Sequence, residues 1–92
     1  MTRTGPLAER SLSTLAKGDT ARIARLADAS SQEESAIILR LMELGFVPGE
    51  TIRLIARAFP GGHPIAVRLG NSSFALRLHE ASLIFVAVPG AI

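Results

Sequence analysis

From Glu50 onward, apolar residues recur at every second position, and turn-forming residues cut the pattern into short runs. Ile52, Leu54, Ala56 and Ala58 fall on one side of an extended chain and Thr51, Arg53, Ile55 and Arg57 on the other, as in a strand with one solvated face. Phe59-Pro60-Gly61-Gly62-His63-Pro64 is a turn by composition, and Ile65, Val67 and Leu69 then resume the alternation. Gly70-Asn71 supplies a two-residue hairpin turn. Pairing about that dipeptide sets Val67 opposite Phe74 and Ile65 opposite Leu76, so the large side chains share one face. A three-residue loop would instead place Arg68 against Phe74.

The remaining elements fit around this meander. Thr20 to Leu26, with β-favouring Ile23 between arginines, reads as a first strand. Ser31 with Glu34, or Ser30 with Glu33, forms a capping box that opens a helix over residues 32–44. Ile37, Ile38, Leu41 and Leu44 recur at helical spacing, Gly45 supplies the stop and Pro48 bars continuation. Leu39 and Met42 widen the apolar stripe beyond one face, which predicts a ridge available to a partner. His79-Glu80-Ala81 is long enough for one helical turn, and Leu83 to Val88 is a buried closing strand. Strands are thus expected near 19–26, 50–58, 64–69, 73–78 and 83–88. Short strands remove exposed edges by closing on themselves, so the expected fold is mainly β: a small five-stranded SH3-like barrel with a helical insertion between strands 1 and 2.

Ninety-two residues suffice for one such domain. We expect a loose N-terminal tail over residues 1–10, the domain over 11–88 and a short C-terminal tail over 89–92. The chain has no cysteine, so packing alone must hold it, as suits a reducing cytoplasm. The longest apolar run, Leu83 to Val88, is far shorter than the roughly 18 residues of a membrane span. Apolar types make up 48%, more than a small core hides, which predicts apolar surface for contacts and a weak homodimer at most.

Arg40-Leu-Met-Glu-Leu-Gly-Phe-Val-Pro-Gly49, Gly62-His-Pro-Ile65, and Ala75-Leu-Arg77 with Glu80-Ala81 together resemble the FeoA family of small cytoplasmic components of bacterial ferrous-iron uptake. The resemblance spans roughly Ser11 to Val88, with His63 standing where the family commonly has Asp. It implies an SH3-like barrel and an accessory role for the membrane iron transporter FeoB, whose cytoplasmic portion carries a GTPase domain. It also implies kinship with the C-terminal barrel of diphtheria-toxin-repressor-type metalloregulators, so the fold alone does not settle function.

The motif glycines and leucines have backbone and packing jobs, so function must rest on surfaces. Residues 51–79 contain Arg53, Arg57, Arg68 and Arg77 and no Asp or Glu. By alternation all four point outward and form a cationic patch, which an acidic protein surface or lipid headgroups would relieve. With Leu39 and Met42 for apolar contact, this predicts a module that docks on a FeoB-like transporter. Enzyme chemistry finds no place: there is no thiol nucleophile and no phosphate-binding glycine loop. No cofactor is called for. A second reading is a metal-responsive domain in which His63, His79 and Glu80 bind a divalent ion such as ferrous iron weakly. A third, an RNA-binding barrel, is disfavoured because Phe46, Phe59, Phe74 and Phe85 sit at core or turn positions, away from the arginines.

Overall fold

The computed structural model describes residues 7–89. Six strands, β1 (Leu7–Ser11), β2 (Thr20–Leu26), β3 (Thr51–Arg57), β4 (Ile65–Leu69), β5 (Ser72–Leu76) and β6 (Ile84–Pro89), form one antiparallel sheet in the order β1-β6-β2-β3-β4-β5. Helix α1 (Gln32–Leu44) lies between β2 and β3, and a single turn, α2 (Leu78–Ser82), precedes β6. The mainly β, SH3-like reading stands, with two differences. The sheet has a sixth strand, and no backbone pairing among the described residues joins β1 to β5.

The added strand takes up residues 7–10 of the expected tail; the rest of that tail lies outside the described residues. Leu-Ala-Glu-Arg-Ser has no apolar alternation, and an edge strand needs none. Its pairing is supplied by β6, with Ala8 opposite Val88 and Arg10 opposite Val86. β6 itself runs on to Pro89, one residue into the expected C-terminal tail.

The Gly70-Asn71 turn closes as the alternation requires, with Val67 opposite Phe74 and Ile65 opposite Leu76. Ile23, Ile52, Leu54, Ile65, Val67, Ile84 and Val86 form the buried face, and Phe46 packs among them. A 3₁₀ turn at Leu12–Thr14 folds over one end of this core and buries Leu12 and Leu15.

Helix α1 begins and ends where its caps lie. The Ser31 hydroxyl accepts from the Glu34 amide at 3.0 Å, and Gly45, at φ 112°, caps the other end. A side chain at Gly45 would also come within 3.2 Å of Leu69 Cδ2. Only Leu41 of the helix is fully buried; Leu44, expected to pack on the sheet, is exposed and lines an open groove between α1 and β5.

The return arm of the capping box differs from expectation and reaches farther. One oxygen of Glu34 accepts from the Ser30 amide at 3.0 Å and the Ser30 hydroxyl at 2.8 Å, one residue before the cap. The other accepts from His79 Nε2 of α2 at 2.8 Å. The donors on it, His79 foremost and then the Ser30 amide and hydroxyl, lower the Glu34 carboxyl from 4.5 to about 2, outweighing the opposing effect of its partial burial. A depressed folded-state value means that this contribution to stability is complete above about 4.5 and is lost as the pH falls through about 2. We therefore expect a melting-temperature gap between wild type and Glu34→Gln that is present above about 4.5 and closes as the pH falls through about 2. In His79→Ala, NMR titration should find the Glu34 carboxyl moved back toward 4.5.

Candidate functional site

The outer face of the sheet is decided by strand register. On β3, Arg53 sits directly opposite Arg68 of β4 and Thr20 of β2, and Arg68 in turn faces Ser73 of β5. All four side chains are exposed. Arg22 of β2, opposite Thr51, extends the same face. A shallow depression of ≈270 Å3 is lined by Thr20, Thr51, Arg53, Arg68 and Gly70. The two ion pairs among the described residues, Arg25 with Glu9 and His79 with Glu34, leave Arg22, Arg53 and Arg68 without a carboxylate.

Arg57 departs from expectation. The β3–β4 register shifts between Leu54 and Ala56, so Ile55 is an extra residue and the alternation reverses after it. Ala56 therefore faces out, opposite Ala66, and Arg57 turns in, opposite Ile65. Its guanidinium donates to the carbonyls of Ser13, at 2.7 Å, and Leu15, and reaches Gly62 O at 3.3 Å. Arg57 thus ties the 3₁₀ turn and the β3–β4 loop to the sheet. Arg77 is exposed as expected but lies one residue beyond β5, at the N-terminus of α2, where its amide donates to Glu80 Oε1 at 2.8 Å.

One arginine does meet an aromatic ring. A register shift between Ile23 and Arg25 sets Arg25 opposite Phe85, whose ring is on the outer face of β6 with the guanidinium 4.3 Å from its centroid. Glu9 of β1 holds the same guanidinium at 3.0 Å. Phe59, at the tip of the β3–β4 loop, is 96% exposed.

Leu39 (56% exposed) and Met42 (46%) form the apolar ridge expected on α1. Between the helix and β5 lies a groove of ≈280 Å3, lined by Ile37, Leu41, Leu44, Phe74 and Leu76 with Arg40 and Glu80 among its charged members. Sequence reasoning missed this groove because nothing in the helical periodicity says which strand the helix approaches. It also left Arg22 out of the patch: alternation places it outward, but the β2–β3 pairing spans a long insertion and has no local signature.

Of the three candidate metal ligands, His79 is engaged with Glu34, and Glu80 with the Arg77 amide. His63, in the β3–β4 loop, has a buried Nδ1 without a hydrogen-bond partner. No group of three or more His, Asp or Glu side chains converges into a metal-holding cluster among the described residues, His63, His79 and Glu80 included. No helix of the described residues is long and apolar enough to cross a membrane.

Short antiparallel strands joined in one sheet, with α1 inserted between β2 and β3 and the short α2 before β6, define a small SH3-like domain. The FeoA domain model matches residues 10–88 of the chain. The FeoA of Stenotrophomonas maltophilia, a prokaryotic SH3 domain protein solved in complex with zinc, is 39% identical with a TM-score of 0.73, over 83% of this chain and 87% of that one. The FeoA protein of Chlorobium tepidum is 32% identical with a TM-score of 0.71, over 87% and 70%. Iron(II) transport protein A of Clostridium thermocellum is 42% identical with a TM-score of 0.69; the match covers 85% of this chain and 44% of that one. No curated protein matches closely enough to count as a relative. The chain belongs to the FeoA family, which is associated with ferrous-iron transport.

Proposed function

We propose that this chain is a non-enzymatic, cytoplasmic accessory protein of bacterial ferrous-iron uptake that docks on the cytoplasmic portion of a FeoB-type membrane transporter and modulates it. The observation that carries the reading is the gathering of Arg22, Arg53 and Arg68 on one sheet face with no carboxylate paired to any of them among the described residues. Like charges so placed repel, and an acidic partner surface removes the repulsion while steering the encounter. Leu39 and Met42 supply apolar contact once the two surfaces meet. Ferrous iron is the cargo of the transporter in this reading.

Arg53→Glu combined with Arg68→Glu should slow association with the transporter's cytoplasmic portion by about tenfold or more and flatten its salt dependence. Surface-immobilised transporter fragment and a salt series give both quantities. Leu39→Asp should instead act on the dissociation rate. Unchanged association by the double variant, together with lost binding by His63→Ala, would favour the metal-responsive reading.

A further inference from the structure

We infer that Arg53 and Arg68, with the hydroxyls of Thr20 and Thr51, form a site for a phosphoryl group on the outer face of the sheet. This rests on the reading of that face as anion-seeking and names the chemistry it takes. Register carries the argument first. Directly opposed residues of an antiparallel pair hold their Cβ atoms roughly 5 Å apart, so Arg53 and Arg68 bring two full positive charges side by side. Two other arginines of the sheet are engaged: Arg25 by Glu9 and the Phe85 ring, Arg57 by backbone carbonyls. Arg53 and Arg68 have no such partner among the described residues.

Shape and donor count then select the ligand. The ≈270 Å3 depression is bounded by both arginines and by Thr20 and Thr51, and Gly70, lacking a side chain, leaves one side open. Thr20 stands opposite Arg53 on the other flank, so the guanidinium of Arg53 lies between a second guanidinium and a hydroxyl. Every ionised group lining the depression is a donor, and no carboxylate lines it. A carboxylate has two oxygens and is satisfied by one arginine fork. The three terminal oxygens of a phosphate monoester have the capacity for two forks and a hydroxyl, and its charge near −2 offsets both guanidinium groups. A soluble phosphate monoester and the monoester headgroup of phosphatidic acid both present that chemistry.

The test uses the full chain labelled with 15N and titrated with inorganic pyrophosphate at low salt. We expect saturable shifts confined to Thr20, Thr51, Arg53, Arg68 and their neighbours. Arg68→Gln should weaken binding by about tenfold or more, and Arg25→Gln should leave it unchanged. A thermal melt checks that Arg68→Gln folds, and Arg53→Gln serves if it does not. Co-sedimentation with vesicles containing phosphatidic acid that is lost in the same variant identifies the headgroup as the source; pyrophosphate binding without vesicle binding identifies a soluble monoester. Absent or diffuse shifts, wild-type affinity in Arg68→Gln, or equal affinity for glutarate would overturn the site. Transporter association is scored separately. If it is absent while pyrophosphate binds, the docking reading falls and the phosphoryl site stands; if pyrophosphate fails while docking responds to the arginines, only the site falls.

Discussion

Phe46→Ala is expected to destabilise the domain by about 3–5 kcal/mol, the largest effect expected of a single truncation in this core. Phe46 is wholly buried directly after the helix cap, its amide donates to Leu41 O at 3.0 Å, and its ring meets Phe74 edge-on with centroids 5.1 Å apart. Truncation removes the ring from water-excluded contact and leaves a cavity that the capped helix end cannot collapse to fill. A domain of this length is stable by about 4–12 kcal/mol, so much of that margin would go. Thermal melts followed by circular dichroism should place the midpoint lower by at least about 12 °C. A shift of only a degree or two would mean that the ring packs outside the core.

The second large effect separates two arginines that look alike in the sequence. Arg57→Ala should destabilise by about 2–4 kcal/mol, because a charged donor to two carbonyls of the 3₁₀ turn is lost and those carbonyls are left in a partly buried site. Arg53→Ala and Arg68→Ala, on the solvated face, should stay within about 0.5 kcal/mol of wild type. Arg57→Lys keeps the charge but cannot fork to two acceptors, so it should fall between. Urea denaturation midpoints rank the four. Equal midpoints for Arg57→Ala and Arg53→Ala would contradict the inward placement of Arg57. The same placement means that a charge reversal at Arg57 would disturb folding and binding together, so binding is tested at Arg53 and Arg68.

Local chemistry makes much of this protein legible in its amino-acid sequence. The helix over residues 32–44 is bounded by Ser31 and Gly45, side-chain and backbone signals that act within a few residues. The Gly70-Asn71 hairpin is likewise local, and its register follows because a slip would turn every apolar residue outward. The family motif from Arg40 to Gly49 covers this helix stop and the turn after it, which is why it marks the fold more plainly than any function.

What alternation by itself determined was the parity of each strand up to its first irregularity; beyond that, the tertiary structure decided. Bulges near Ile55 and Ala24 reverse the parity, sending Arg57 inward to brace the 3₁₀ turn and setting Arg25 on Phe85. A bulge answers to the fit between partner strands and leaves no mark in a count of every second residue. The sixth strand, the joining of Arg22 to Arg53 and Arg68, and the His79 contact to Glu34 arise in the same way, between segments far apart in the chain. Their geometry is set by which surfaces bury the most apolar area together, a property of the assembled sheet that no short stretch of sequence contains.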